Sequence, residues 1–155
     1  MIKLHHISAI LLTLLIIACS SDDNADTTST PDEAIGSYTL SAVNVTPAQD
    51  VNEDGSSSTN LLDEMSCLNG TLTLNADTSW SLNLVRLNVT SITGGQFFIE
   101  CSDSDSSSGT WTNSNGQINL NGSFEPTVYL LSDDTLTRQL GDELPGFQSI
   151  VFVKQ

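Results

Sequence analysis

The sequence predicts an all-β domain built as a single antiparallel up-and-down β-barrel of about eight strands. Apolar and polar residues alternate with a period of two in many short segments between residues 35 and 153. Turn-forming sequences such as Asn115-Gly116 separate these segments, as expected for hairpins. No segment of ten or more residues has the apolar spacing of a helix. A β-sandwich would use the same pattern and is the alternative.

Each predicted strand has one apolar face. In chain order these faces are Tyr38-Leu40-Ala42, Leu72-Leu74, Trp80-Leu82-Leu84, Phe97-Ile99-Cys101, Ile118-Leu120, Val128-Leu130, Leu136 and Ile150-Phe152. The one short helix candidate is residues 59–65, where Leu61, Leu62 and Met65 would cover an open end of the barrel.

The N-terminus is typical of a lipoprotein signal peptide. Residues 7–18 form an apolar run after Lys3, long enough for a secretory signal but short of the roughly 20 residues that span a bilayer. The run ends in Ile16-Ile17-Ala18-Cys19, which resembles the lipobox of bacterial lipoproteins. We therefore expect residues 1–18 to be removed and Cys19 to carry acyl chains such as palmitate. An ordinary signal peptide with a chance cysteine is the alternative.

Residues 19–33 predict a disordered acidic tether after the lipidated cysteine. They contain Ser, Thr and Asp but no large apolar residue. The acids next to Cys19 resemble the signal that brings Bacteroidota lipoproteins to the cell surface, which implies an outer-membrane protein exposed outside the cell. A position facing the periplasm is the alternative. The folded domain is then residues 34–155.

Charge and histidine content exclude several function classes. The chain has 19 acidic and 4 basic residues, for a net charge of -15. Without the signal peptide the basic residues are Arg86, Arg138 and Lys154, too few to neutralise the phosphates of a nucleic acid. Both histidines also lie in the signal peptide, which removes Ser-His-Asp catalysis and histidine-ligated zinc. We expect no enzymatic activity.

Two cysteines, Cys67 and Cys101, remain once Cys19 is lipidated. In an exported protein such a pair predicts one disulfide, worth roughly 3–4 kcal/mol for a loop of this length. Two free thiols are the alternative.

The segment Asp50-Val51-Asn52-Glu53-Asp54-Gly55 is a candidate calcium loop. Asp50, Asn52 and Asp54 place three oxygen ligands on one side of a tight turn, and Gly55 permits the positive φ that closes it. In an EF-hand loop the twelfth position is a bidentate Glu, but here it is Leu61. Binding should therefore be weak, with a dissociation constant near 10⁻⁴–10⁻³ M, on the order of that of extracellular modules. The alternative is a solvated turn rich in Asp and Asn.

A second acidic segment, residues 100–105, contains Asp103 and Asp105. A disulfide between Cys67 and Cys101 would bring it near Asp63 and Glu64, which makes a shared cation cluster conceivable. The simpler interpretation is a surface loop, because three serines follow.

Three motifs resemble the lipocalin-like domains common in Bacteroidota lipoproteins. They are the first strand Ile35-Gly36-Ser37-Tyr38-Thr39-Leu40, the hairpin of Cys67 with residues 70–77 and Trp80, and the pair Ser108-Gly109-Thr110-Trp111 with Ile118-Asn119-Leu120. The chain departs from that pattern at Tyr38, where Trp is commoner, and at Thr78, where Gly usually follows Asp. The resemblance spans residues 35–153 and implies a small antiparallel barrel, but no particular ligand.

Two non-catalytic functions follow from this fold. The barrel could carry a small apolar or amphipathic ligand, with Trp80, Phe97, Trp111 and Phe124 as candidate lining residues. Ordinary packing in the barrel core is the alternative role for each of these side chains. The domain could instead be an adhesion or accessory module that contacts glycan or protein through its loops, with calcium rigidifying residues 50–55.

Overall fold

The structure, a computed structural model, describes residues 31–122, 127–141 and 146–155. The predicted signal peptide, Cys19, most of the tether and Phe124 lie outside the described residues. The described elements are α1 (Pro31–Ala34), β1 (Gly36–Gln49), β2 (Ser58–Asn60), α2 (Leu61–Glu64), β3 (Gly70–Leu74), β4 (Ser79–Ser91), a 3₁₀ turn (Thr93–Gly95), β5 (Phe97–Ser114), β6 (Gln117–Gly122), β7 (Thr127–Ser132), β8 (Thr135–Gln139) and β9 (Phe147–Lys154).

Eight of the strands close into an antiparallel barrel, as the sequence predicts. Their order is β1-β3-β4-β5-β6-β7-β8-β9, and β9 pairs back onto β1. The closing pair runs from Tyr38 opposite Lys154 to Val45 opposite Phe147. The short strand β2 pairs with the far end of β1, outside the closed set. Closure rules out the sandwich and leaves one enclosed interior.

Alternating residues of the strands fill that interior. Tyr38, Leu72, Ile118, Leu136 and Phe152 are completely buried, and all five lie at inward positions expected from the apolar spacing. Burying a side chain of this size stabilises the fold by roughly 1.5–3 kcal/mol. Most outward positions are polar. One row in register across four strands is Thr39, Thr71, Asn83 and Ser106.

The predicted inward face of β7 is wrong by one residue. Val128 and Leu130 are 44% and 48% exposed, whereas Tyr129 between them is buried. Residues 128–131 are all apolar or aromatic, so alternation alone does not distinguish the two faces. The Tyr129 ring takes the inner face, where it packs edge-on against Phe152 with centroids 6.1 Å apart.

Both tryptophans are fixed by their indole N–H groups. Trp80 reaches from β4 across β5 and donates to the Asn121 carbonyl of β6 at 3.1 Å. The Trp80 ring packs closely over Gly122, because a Cβ on Gly122 would lie 3.1 Å from Cζ2 of Trp80. Trp111 donates to the Asn75 carbonyl at 3.0 Å, which ties β5 to the β3–β4 turn. Both residues are therefore rigid parts of the wall and core.

Two hairpin turns show how local chemistry sets the strand register. Asn115 and Gly116 both have positive φ, 51° and 81°, as the predicted two-residue turn requires. In the β3–β4 turn, Asp77 accepts hydrogen bonds from the Ser79 hydroxyl and amide, which lowers the pKa of Asp77. Thr78 has a φ of 66°, a conformation that costs a β-branched residue more than the glycine usual in similar hairpins.

The predicted short helix and disulfide are both present. Helix α2 occupies Leu61–Glu64, within the predicted 59–65, and the Asn60 side chain caps it by accepting from the Leu62 amide at 3.2 Å. Cys67 bonds to Cys101, with Cα atoms 6.4 Å apart, and so pins the segment after α2 to β5. No helix among residues 31–122, 127–141 and 146–155 is long and apolar enough to cross a bilayer.

Candidate functional site

The candidate site is a cavity of about 200 Å³ in the barrel, which we call the Trp80 cavity. Strands β4 to β8 line it, with Trp80, Leu82, Leu84, Arg86, Asp105, Ser107, Leu120, Gly122, Thr127, Tyr129 and Arg138. Space exists here because β5 places Ser107 and Gly109 opposite Leu82 and Trp80. Larger residues at these inward positions would fill the barrel, as Leu72 and Leu74 do on β3.

A second cavity of about 210 Å³, the Phe147 cavity, adjoins the first. Its lining is Val43, Leu68, Leu84, Val85, Arg86, Leu87, Val89, Leu140, Phe147 and Ile150. The two cavities share Leu84 and Arg86 in their walls. Ile150 of the Phe147 cavity also lies directly opposite Arg138 of the Trp80 cavity, on β9 and β8. Each is smaller than the roughly 300–1,000 Å³ of typical ligand pockets, but together they reach that range.

An irregularity in β4 lets one strand line both cavities. The register between β4 and β5 shifts between Val85 and Leu87. Before the shift Leu82 and Leu84 face inward, and after it Leu87 and Val89 do. A β-bulge changes which face a strand presents, so this shift keeps the apolar side of β4 turned toward the interior along its whole length.

Two arginines give the Trp80 cavity its polar character. Arg86 contacts Asp105 with Nε 3.1 Å from Oδ2, and both side chains are about half exposed, at 58% and 46%. Arg138 lies on β8 and is only partly exposed. Burial raises the pKa of the Tyr129 hydroxyl in the same cavity, and the positive charge of Arg138 opposes that rise. The cavity thus combines apolar walls with guanidinium and hydroxyl donors.

The four predicted lining residues occupy different places. Trp80 lines the cavity that bears its name. Trp111 is buried in the core but lines neither cavity. Phe97 packs on Phe147 with centroids 5.7 Å apart and faces a separate cleft near the 50–55 loop. Phe124 lies outside the described residues.

Sequence reasoning missed Arg86, Arg138 and Tyr129. A signal was present for Arg138, which follows Leu136 by two residues and so continues the inward spacing of its strand. Arg86 gave no such signal, because it lies in the irregularity of β4 between Val85 and Leu87. A charged residue at an inward position of a barrel strand indicates a polar group placed in the interior, since burying an isolated charge is costly.

The predicted calcium loop is closed by its own backbone. Asp50 accepts from the amides of Asp54 and Gly55, both at 3.1 Å, and Asn52 accepts from the Asp54 amide at 2.9 Å. Gly55 has a φ of 88°, as the turn requires. Within the described ranges no three or more His, Cys, Asp or Glu side chains form a group suited to a metal ion. Calcium binding here stays a prediction.

The second acidic segment is part of a strand, not a loop. Residues 100–105 lie within β5, and β4 pairs with them on both sides of the register shift at residues 102 and 103. Asp105 contacts Arg86, whereas Asp63 accepts from the Ser58 hydroxyl at 2.8 Å and Glu64 accepts from the Val51 amide at 3.1 Å. These carboxylates therefore have separate partners.

Compared with family models, curated proteins and solved structures, the chain has no match. Its function has to be inferred from the chemistry of the barrel itself.

Proposed function

We propose that this protein binds a small apolar or amphipathic ligand inside its barrel. The observation that carries the proposal is the pair of adjoining cavities, which are lined mainly by apolar side chains and formed by the strands of the closed sheet. Eight-stranded barrels have interiors wide enough for side chains alone or for one small ligand. Here small inward residues on β5 leave room for the ligand.

The cavity volumes set an upper limit on the affinity. Filling about 200 Å³ with apolar atoms recovers on the order of 5 kcal/mol, at about 24 cal/mol per Å³. The Phe147 cavity is of similar size, so a ligand occupying both gains on the order of 10 kcal/mol. Association costs at least about 4 kcal/mol. At most about 6 kcal/mol then remains, which corresponds to a dissociation constant of tens of micromolar or weaker.

Tryptophan fluorescence tests the proposal, because one of the two tryptophans lines a cavity and the other does not. The probe is a brominated twelve-carbon alcohol, since bromine quenches indole on contact. The protein runs from Ser20 to Gln155, which contains every described element and all strand pairs of the closed barrel. Trp111→Phe leaves Trp80 as the reporter, and Trp80→Phe leaves Trp111.

We expect saturable quenching of Trp80 with a midpoint in the tens of micromolar or above, and at most half that quenching for Trp111. Ser107→Leu fills the cavity and should weaken binding at least about fivefold, in keeping with the loss of well-packed ligand contacts. Ser108→Leu makes the same change at the adjacent exposed position and should leave binding unchanged. Quenching that is absent, or equal for both tryptophans and both leucine variants, would contradict an interior site.

Anchorage at the membrane through Cys19 is part of the same proposal. A barrel held at the outer membrane, facing the cell surface, would present its cavities to ligands arriving from outside. Cells supplied with labelled palmitate should incorporate the label into the wild type and not into Cys19→Ser. Label retained in Cys19→Ser would place the modification elsewhere.

The second candidate, an adhesion or accessory module acting through its loops, is favoured by one observation. The 50–55 loop borders a cleft of about 220 Å³ that also contains Ile92 and Phe98, each 55% exposed. Native mass spectrometry of the exported protein, purified without chelator, distinguishes the candidates. A retained organic mass supports the carrier. A bare protein that gains only calcium adducts, abolished by Asp54→Ala, supports the loop module.

A further inference from the structure

We infer that the ligand of the barrel is an aliphatic molecule with an oxygen acceptor near one end, a ketone, ester or alcohol oxygen, which accepts a hydrogen bond from the Tyr129 hydroxyl in the Trp80 cavity. The inference rests on the proposed function and names the chemical class of the ligand. The observation that carries it is a buried hydroxyl on a residue that lines the cavity, with no hydrogen-bond partner among the described residues.

The two tyrosines of the chain differ in how their hydroxyls are satisfied. Tyr38 is completely buried, and its hydroxyl donates to the Ala34 carbonyl at 2.7 Å. Tyr129 is only 2% exposed, yet its hydroxyl makes no hydrogen bond to any group in the described part of the chain. Buried polar groups are nearly always hydrogen-bonded, because one without a partner has lost its contacts with water and gained none. The Tyr129 hydroxyl therefore suits a partner that is not part of the protein.

Packing holds the Tyr129 side chain in place. The residue lies on β7 opposite Ile118 of β6, and its ring meets the Phe152 ring at an angle of 72°. The ring cannot turn toward solvent without losing this edge-on contact, so the hydroxyl stays inside the barrel. Burial raises the pKa of Tyr129, so the hydroxyl keeps its proton at neutral pH and is available as a donor.

The two cavities differ in polarity, which determines where the oxygen of the ligand lies. The Trp80 cavity has hydroxyl side chains in its lining, Tyr129 among them. In the Phe147 cavity every lining side chain apart from Arg86 is apolar. Leu84 borders both cavities, so a ligand that occupies both places its oxygen beside Tyr129 and its aliphatic carbons beyond Leu84. A site with a buried donor discriminates against an analogue that lacks the matching acceptor.

A water molecule is the competing partner of the Tyr129 hydroxyl. The cavity of about 200 Å³ has room for one, although a buried water needs about two to four polar partners. A water that remained on the hydroxyl would make ligand binding independent of the oxygen of the ligand. The effect of removing the hydroxyl on binding and on stability separates these two partners.

The experiment compares 1-bromododecane, which has no oxygen, with 2-dodecanone, which has one acceptor oxygen near the end of its chain. The protein is Trp111→Phe from Ser20 to Gln155. The bromoalkane is titrated by its quenching of Trp80, and the ketone by its displacement of the bromoalkane. Both probes are delivered from cyclodextrin, and each affinity is compared as the ratio between the proteins with and without a further substitution, so that the different solubilities cancel.

Tyr129→Phe removes the hydroxyl and keeps the ring that packs on Phe152. It should weaken binding of the ketone about threefold to tenfold, as expected for the loss of one hydrogen bond. Binding of the bromoalkane should change less than about twofold, because it has no group that the hydroxyl could contact. Far-ultraviolet circular dichroism confirms that the variant is folded before binding is compared.

Tyr38→Phe is the matched control. It removes the same atom from a residue that lines neither cavity, so the affinity for both probes should be unchanged. Without ligand, Tyr38→Phe should lower the midpoint of urea unfolding, because the Ala34 carbonyl loses its donor. Tyr129→Phe should leave that midpoint unchanged or raise it, because it removes a buried hydroxyl that lacks a partner.

The outcomes separate the inference from the proposed function. Tyr129→Phe that weakens both probes equally, or neither, overturns the hydrogen bond to the ligand and leaves the carrier intact. A fall in the urea midpoint of Tyr129→Phe as large as that of Tyr38→Phe means that the hydroxyl is satisfied without ligand, and it also overturns the inference. Failure of both probes to bind the Trp111→Phe protein overturns the carrier, and the inference with it.

Discussion

Removing the disulfide is the perturbation whose effect can be worked out most fully from the structure. Cys67 and Cys101 are 34 residues apart in sequence, and their bond restricts the unfolded chain. The loop-closure relation for that separation gives about 3.8 kcal/mol at 25 °C. Cys67 is exposed and Cys101 is partly exposed, so replacing both with Ser removes little apolar burial. The loss should therefore come mainly from the unfolded state.

Urea unfolding of Cys67→Ser/Cys101→Ser beside the wild type measures this loss. The free energy of unfolding should fall by about 3–4 kcal/mol, and the urea dependence should steepen because the uncrosslinked chain exposes more surface. With an unfolding entropy of about 2.1 cal/mol/K per residue over roughly 120 residues, the melting temperature should drop by about 15 °C.

Reduction of the wild type is the control, since it opens the same loop without changing a side chain. It should reproduce the loss seen in the double variant. A loss below about 1.5 kcal/mol with an unchanged urea dependence would refute the reasoning. The bond would then act by some other route than restriction of the unfolded chain.

Three further predictions concern the backbone and the tyrosines. Thr78→Gly should raise the free energy of unfolding by about 0.5–1 kcal/mol, because relief of the strained left-handed conformation exceeds the entropy that glycine adds to the unfolded chain. Lower stability of this variant in urea unfolding would contradict the prediction. Gly109→Ala should cost at least about 2 kcal/mol, because its Cβ would overlap a carbonyl of β6, while Gly141→Ala, which meets open space, should be near neutral. Burial raises the pKa of Tyr38 to about 12 and also raises that of Tyr129, so stability should decline as pH rises from about 10 toward 12. Absorbance at 295 nm should then show little tyrosinate at pH 10.5 in the native protein and much in urea, and equal signals would contradict both shifts.

The barrel was predictable because its signals are local. Alternation identifies a strand from a few residues, and Asn115-Gly116 determines its turn almost alone through its positive φ values. The disulfide was predictable from counting cysteines once Cys19 was assigned to a lipid. These features need no knowledge of distant parts of the chain.

Features that depend on neighbouring strands were not predictable in the same way. Residues 102–108 contain only Ser and Asp, yet they continue β5, and β4 pairs with each residue from Ser104 to Ser108. Strand propensity is weak in such a segment, and tertiary pairing overrides it. The inward side of β7 likewise depends on Phe152, against which Tyr129 packs.

The candidate site was predicted only in part, through Trp80. The cavity exists because Ser107 and Gly109 have small side chains or none at inward positions of β5. Small residues in a strand do not contribute to the apolar alternation from which strands are predicted. Its two arginines come from strands far apart in the sequence, β4 and β8. Their convergence follows from barrel closure, which alternation in single strands does not reveal.

The most direct test of the ligand site is a crystal structure of the chain from Ser20 with the brominated twelve-carbon alcohol. Anomalous scattering locates the bromine without any assumption about binding. An interior site predicts the bromine in contact with the cavity wall, within about 4.5 Å of Trp80, Leu84 or Leu120. Bromine found only on the exposed apolar side chains, Leu130 on the barrel wall or Phe98 near the β4–β5 tip, would contradict the carrier.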